Sequence, residues 1–376
     1  MPSSLNDHLK TNALTKKTFW IFDIFQREKL FILIVLTLGA LCLAVYPYPN
    51  IAMWIGFGLA GYAAIANDSI QTIGTFIASN KHRKWYYLWL FMGLIFVITV
   101  YISWSSYDGD VSNQRLTSKG FEEAPTEFTF LQLAAPLILL IITRMRMPVS
   151  TTFLLLNAFT TKTSAILGVL NKSLSGYFLA FFLALIVWLL VSKFLNRFVK
   201  GKPHKIWVLF QWITSGMLWS VWIQQDAANI AIFLPRSLSV WEFVAFASYI
   251  FLGLGLLFYL KGDKIQGIVD EKSGVTDVRA ATLVDFIYAI LLYYKLFEST
   301  LPMSTTWLFI GLLGGRELAI SLTRNKPRKR SKATKRALKM IGKDMLFALI
   351  GLAISLILAL AINNNIRQEV YDLIFN

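Results

Sequence analysis

Two aspartates stand in stretches otherwise built for a membrane. Asp68 lies in "ANDSIQTIGT" (66–75) and Asp226 in "IQQDAANIAIF" (223–233). Each is bracketed by amides in the form amide-Asp-x-x-amide, with Asn67 and Gln71 around the first and Gln225 and Asn229 around the second. An ionisable group at membrane depth is costly and marks a functional site by default. A second motif also recurs: "MPVSTTF" at 147–153 is echoed by "LPMSTTW" at 301–307. Carboxylate and amide oxygens suit a hard cation such as Na⁺. A Ser-Thr-Thr run that opens a helix offers hydroxyl and backbone donors to an anion.

The elements that must carry these residues follow from composition. The chain has 376 residues, 56% of them hydrophobic and 15% charged, with a mean hydropathy of +0.57. Soluble domains carry about a quarter charged residues, so an all-α integral membrane protein is indicated. Apolar runs at 30–46, 85–103, 128–143, 174–192, 239–260, 281–297 and 343–362 are each near the ~17–25 residues that cross a bilayer. The net charge of +16 needs no nucleic-acid partner, because Lys and Arg fall in the loops as the positive-inside rule expects. Cys42 is the single cysteine, and His8, His82 and His204 lie in separate basic loops, so neither a disulfide framework nor a metal site is expected. Residues 1–29 read as a basic lead into an uncleaved first helix rather than a signal peptide.

Basic loops alternate with neutral or acidic ones. Lys10 to Lys29, residues 80–84, Arg144 with Arg146, 193–205, and the nine-base stretch 324–339 are placed in the cytoplasm; 46–50, 104–126 and 298–301 are placed outside. For the signs to alternate, the chain must also cross at 51–79, near 148–170 and at 206–236. The expectation is eleven crossings in the bacterial inner (plasma) membrane, N-terminus cytoplasmic and C-terminus outside. Glu242, Asp285, Lys295 and Asp344 fall near expected helix ends, where snorkelling suffices. Arg316 and Glu317 fall deeper and are expected to pair with each other.

The two motifs recur in the same order and at similar separation, since Asp68 precedes Pro148 by 80 residues and Asp226 precedes Pro302 by 76. This predicts a duplicated chain: 1–50 as a basic segment and first helix, 51–192 as repeat 1, 193–205 as a cytoplasmic basic linker, 206–362 as repeat 2, and 363–376 as a tail. Five crossings per repeat is an odd number, so the second copy enters from the opposite face, the inverted plan of many secondary transporters. Pro148 and Pro302 are expected in the first turn of half-helices at the tips of re-entrant hairpins. Ser150, Thr151 and Thr152 would then face Ser304, Thr305 and Thr306 across an oxyanion.

Two bare carboxylates beside an anion would repel it, and a bound cation resolves the conflict. A divalent anion entering a cell at 100 mV negative inside faces ~4.6 kcal/mol, so at least two co-transported cations are required. Na⁺ explains the amides; protonation of the aspartates is the alternative.

These stretches resemble the inorganic phosphate transporter (PiT) family, whose pattern is a Gly-Ala-Asn-Asp-x-x-Asn signature with a downstream Gly-Thr, and a Pro-Val-Ser-Thr-Thr-His motif, in two inverted copies. The chain is similar to a divergent, bacterial-type member. Ile65 stands for the signature glycine, Gln71 and Gln225 for signature asparagines, and Phe153 and Trp307 for the motif histidines. The resemblance implies a symporter of an inorganic oxyanion, phosphate first, with no enzymatic activity and no cofactor beyond Na⁺ or H⁺ as coupling ion. It implies that Ser150, Thr151, Thr152, Ser304, Thr305 and Thr306, with Asn67 and Gln225, contact the anion. Asp68, Gln71, Thr75, Asp226 and Asn229 would hold the coupling ion. Sulfate and bicarbonate remain open as substrates. A sensor or assembly subunit is the reading from another class. A homodimer is suggested by analogy alone.

Overall fold

A computed structural model describes residues 28–145, 147, 149–198, 203–260, 278–324 and 327–375. Its helices are α1 (Glu28–Val45), α2 (Pro49–Ala66), α3 (Asp68–Ser79), α4 (Trp85–Ser106), α5 (Phe130–Arg144), α6 (Thr163–Phe198), α7 (Ile206–Ala231), α8 (Val240–Tyr259), α9 (Val278–Glu298), α10 (Thr305–Leu322), α11 (Pro327–Ile362) and α12 (Asn364–Phe375). No strand occurs among the described residues. Eight of the helices hold stretches long and apolar enough to cross a membrane; α5 is a shorter apolar helix. Their outward faces carry exposed Leu, Ile and Phe side chains such as Leu94, Phe182, Ile186 and Leu252. Apolar residues outside as well as inside are what lipid as solvent requires, and the chain is an integral membrane protein.

Helix ends follow local chemistry. Thr129 and Gln132 form a capping box at α5, and Ser239 and Glu242 form another at α8, each satisfying two backbone donors. Glu242 is therefore a cap at a helix end. Asn67 separates α2 from α3, and the first Asn-Asp pair sits at this break. Its counterpart, Gln225-Asp226, lies inside the unbroken α7.

Elements follow a similar order in residues 49–198 and 206–362. A crossing with the amide-Asp motif (α2–α3, and α7) precedes an aromatic-rich helix (α4, and α8). A further helix follows (α5, and α9), then a Ser-Thr-Thr segment, then a 36-residue helix (α6, and α11). The contacts match as well, with α4 packed on α7 where α8 packs on α2. The most extensive interface lies between α6 and α10. A Cβ at Gly311 would lie 2.4 Å from the Tyr177 carbonyl oxygen, and one at Gly315 would lie 2.1 Å from that of Phe181, so only glycine permits this approach.

Three expectations need correction. Residues 148–170 do not make a crossing of their own; a single π turn, Thr152–Leu156, is followed by turns and then α6, which runs uninterrupted through 174–192 and on to Phe198. The first Ser-Thr-Thr run thus opens one turn where the second opens the 18-residue α10. Nor is the nine-base stretch a loop throughout: from Pro327 it is helix, as Lys, Arg and Ala favour and Pro at the first position permits. Finally, Pro302 stands outside the first turn of α10, whose N-cap is Ser304. Pro148 and residues 261–277 lie outside the described residues.

Outside the spans, residues 107–129 are pinned to the second half at two places. Arg236 donates to the carbonyls of Phe121 and Glu123, and Arg115 to those of Leu296 and Ser299. Burial pushes both guanidinium pKa values down to about 10.

Candidate functional site

The two Ser-Thr-Thr segments meet. Thr152 Oγ1 donates to the Met303 carbonyl at 3.1 Å, and the rings of Phe153 and Trp307 touch with centroids 5.2 Å apart. Within each segment the serine caps its own turn. Ser150 Oγ accepts from the Phe153 N–H at 3.2 Å, and Ser304 Oγ from the Trp307 N–H at 3.1 Å. All six hydroxyl residues are buried.

Asp226 lies against this junction, 2% exposed. Its Oδ2 accepts from Thr305 Oγ1 at 2.5 Å and its Oδ1 from Asn229 Nδ2 at 3.2 Å. Asn229 Nδ2 has two hydrogens, and it also reaches Thr152 Oγ1 at 3.2 Å. The chain Thr305–Asp226–Asn229–Thr152–Met303 therefore joins α7 to both Ser-Thr-Thr segments. The carboxylate also faces the first residue of α10, the positive end of that helix dipole.

Around this chain, buried polar atoms are left over. Thr151 Oγ1, Asn229 Oδ1 and both amide atoms of Gln225 have no hydrogen-bond partner, and neither does the side chain of Asn157, which follows the π turn. An unsatisfied buried polar group costs about 1–3 kcal/mol. Thr151 and Gln225 lie on the segments that bear the motifs, and Asn157 just after the first of them. Beside Asp226 lies a cavity of about 20 Å³ lined largely by Ile65, Trp219, Trp222 and Phe246. That is room for about one water.

Of the residues the sequence nominated, Thr151, Thr152, Thr305, Asp226 and Asn229 lie in or next to this network, and Ser150 and Ser304 support it as caps. Gln225 is fully buried beside Asp226, and Thr306 follows Thr305 into α10. Asn67 is buried at the α2–α3 break. The side chains of Asp68 and Gln71 lie outside the described residues. Thr75 is elsewhere: its hydroxyl donates to Asp285 at 2.7 Å.

The sequence undervalued Asp285, which sits well inside α9, whereas Lys295 lies in the last turn of that helix, as expected. Asp285 is 1% exposed, and Lys295 is buried against Ser175 and Glu298. Arg316 and Glu317 do pair, at 2.7 Å. Residues with no sequence signal support the second motif. Ser173 Oγ accepts from the Ser304 N–H at 2.8 Å, and Lys172 Nζ donates to the carbonyls of Ser299 and Leu301.

No protein-family model matches the chain, and no curated protein sequence matches it. Among solved structures, one titled "The sodium-dependent phosphate transporter" aligns with a TM-score of 0.47 at 17% identity, covering 83% of this chain and 99% of that one.

Proposed function

We propose that the chain is an ion-coupled symporter of an inorganic oxyanion, phosphate first, driven by Na⁺, and a divergent member of the PiT family. One observation carries the reading: Asp226, the carboxylate suited to a cation, is hydrogen-bonded to Thr305 of the second hydroxyl motif and, through Asn229, to Thr152 of the first. Cation and anion sites are thereby parts of one network.

The network gives a binding order. While the Thr305 hydroxyl donates to Asp226 it is spent on that carboxylate, which by itself would repel an anion. A Na⁺ held by Asp226 and the spare Asn229 Oδ1 takes over the carboxylate and frees Thr305 to donate elsewhere. Thr151, whose hydroxyl has no protein partner, and the released Thr305 then face the anion from the two motifs. Alternating access follows if the halves are inverted copies that rock against each other, opening the closed site to each side in turn.

Uptake of labelled phosphate, sulfate and bicarbonate into proteoliposomes tests this, with an imposed Na⁺ gradient and without it. Phosphate accumulation that requires Na⁺ supports the reading. Accumulation of sulfate or bicarbonate instead keeps the mechanism and changes the substrate. If well-folded protein moves none of them, the symporter reading is wrong and a sensor or assembly role replaces it.

A further inference from the structure

Most of the nine bases of 324–339 ride on the first turns of α11, where helix geometry gives them definite positions. Lys329, Lys332 and Arg336 recur at three- and four-residue spacing and so share one face. Across from them, Glu317 and Ser321 stand one turn apart near the end of α10, and Arg324 follows that end. Together these residues line an open cavity of about 500 Å³, with apolar lining from Ile320, Ala337 and Met340. Ser321 and Thr334 share a hydrogen bond at 3.2 Å, which holds the two helices together beside the cavity.

Four cations around one cavity repel each other unless negative charge stands between them. The acid in the lining, Glu317, accepts from Arg316 Nη1 at 2.7 Å. Among the described residues no carboxylate pairs with Arg324, Lys329, Lys332 or Arg336. The stretch 324–339 holds no acid of its own. Moreover, α11 opens with Arg328, Lys329 and Arg330 in its first turn, the end where the helix dipole is already positive. The positive-inside rule asks only that bases lie on one side of the membrane. It does not ask that three share a helix face and confront a fourth across a cavity. An anion in the cavity turns this repulsion into attraction.

The position of the cavity selects the kind of anion. Met340 lies three residues before the apolar run 343–362, so the cavity ends where α11 enters the hydrocarbon. Leu322 and Leu338, neighbours of the lining residues, are exposed. A soluble ion gains nothing from that apolar border. A phospholipid matches it, with phosphate for the cations and acyl chains for the leucines and Met340.

We propose that this cavity binds the phosphate headgroup of an anionic phospholipid from the cytoplasmic leaflet. Basic pockets between membrane helices suit such headgroups. Arg324 and Arg336 can each offer paired N–H donors to phosphate oxygens, while Lys329 and Lys332 act as point charges. The second Ser-Thr-Thr motif opens α10, so the lipid fastens to α11 the far end of the helix that carries this motif. The lipid site stands whether or not the chain is a symporter.

Native mass spectrometry of the purified protein, released from micelles holding equal amounts of phosphatidylglycerol and phosphatidylcholine, tests the site. The wild type should retain phosphatidylglycerol in preference. Lys332→Gln with Arg336→Gln removes two cations from the lining and should weaken that retention about 25-fold, at about fivefold per cation beside an anionic headgroup. Lys335→Gln with Lys339→Gln removes the same charge from the same helix outside the lining, and should bind as the wild type does. All four side chains are exposed, so neither pair of changes disturbs the core. Equal losses in the two double variants would make the attraction a diffuse surface effect and overturn the proposal. So would equal retention of the two lipids by the wild type. Inorganic phosphate, which lacks chains, should displace phosphatidylglycerol only in large excess. Displacement at equal concentration would make the ligand a soluble phosphate and overturn the lipid assignment.

Discussion

Phe153 and Trp307, one residue after each Ser-Thr-Thr run, pack against each other with ring centroids 5.2 Å apart and planes inclined at 57°. Both are almost wholly buried, so the residue after each run makes an apolar clasp between the two motifs. Phe153→Ala and Trp307→Ala should each destabilise the protein by about 3–5 kcal/mol. The double variant should cost less than the two losses together by about 0.5–1.5 kcal/mol, the coupling typical of an aromatic pair. Unfolding of the four proteins in detergent measures this, and strict additivity would mean the rings are neighbours without being partners.

Thr151 separates a binding role from a structural one. Its hydroxyl is buried with no partner, so the folded protein bears a cost that valine would remove. Thr151→Val should therefore match or exceed the wild type in thermal stability. If the hydroxyl serves the anion, the same change should weaken anion binding about tenfold or more, the loss of one donor to a charged guest at ~1.5–3 kcal/mol. Isothermal titration with phosphate in saturating Na⁺ reads the second quantity. Unchanged affinity would remove Thr151 from the site.

Thr305 and Asp226 make opposite predictions for the cation. Asp226→Asn should abolish the Na⁺ dependence of uptake, because the neutral amide neither repels the anion nor holds the ion. Thr305→Val strips the Na⁺-free carboxylate of its 2.5 Å donor, which destabilises the ion-free state by about 1–3 kcal/mol. Half-maximal uptake should then need less Na⁺, while the anion binds more weakly. A higher Na⁺ requirement in Thr305→Val would instead make the threonine a cation ligand.

The motif side chains were legible in the sequence because repetition marks them. An amide-Asp-x-x-amide string and a Ser-Thr-Thr string, each found twice in apolar surroundings, single out the residues that form the Asp226 network. The all-helical membrane architecture was equally legible from hydropathy. Asp285 was not, since a lone carboxylate in "VDFIYAILLYYKLF" carries no periodic signal. Its partners come from 210 and 70 residues away, and only tertiary packing reveals that they are hydroxyls. The extent of α6 was missed because the weakly apolar 163–173 reads as the end of one crossing rather than the start of the next. In α11 the charge run hid a continuous helix, for charge argues against membrane but not against helix.

Gly311 and Gly315 lie one turn apart on the face of α10 that meets α6, where close backbone approach substitutes for hydrophobic burial in driving association within lipid. A methyl group at Gly315 would collide with the Phe181 carbonyl at 2.1 Å and the Leu185 amide nitrogen at 3.0 Å. Backbone cannot swing aside as a side chain can, so Gly315→Ala must push the helices apart. The Ser304 N–H to Ser173 Oγ bond, which crosses the same interface and seats the second motif, should be strained with it. The expected outcome is a lowered unfolding temperature together with weakened anion binding, although Gly315 touches neither ion. Gly342, in α11, provides the control: a Cβ there meets nothing within 4 Å, so Gly342→Ala should gain helix propensity worth up to about 1 kcal/mol and leave binding alone. Equal stability of the two variants would show that α10 and α6 are not held at the distance these glycines allow.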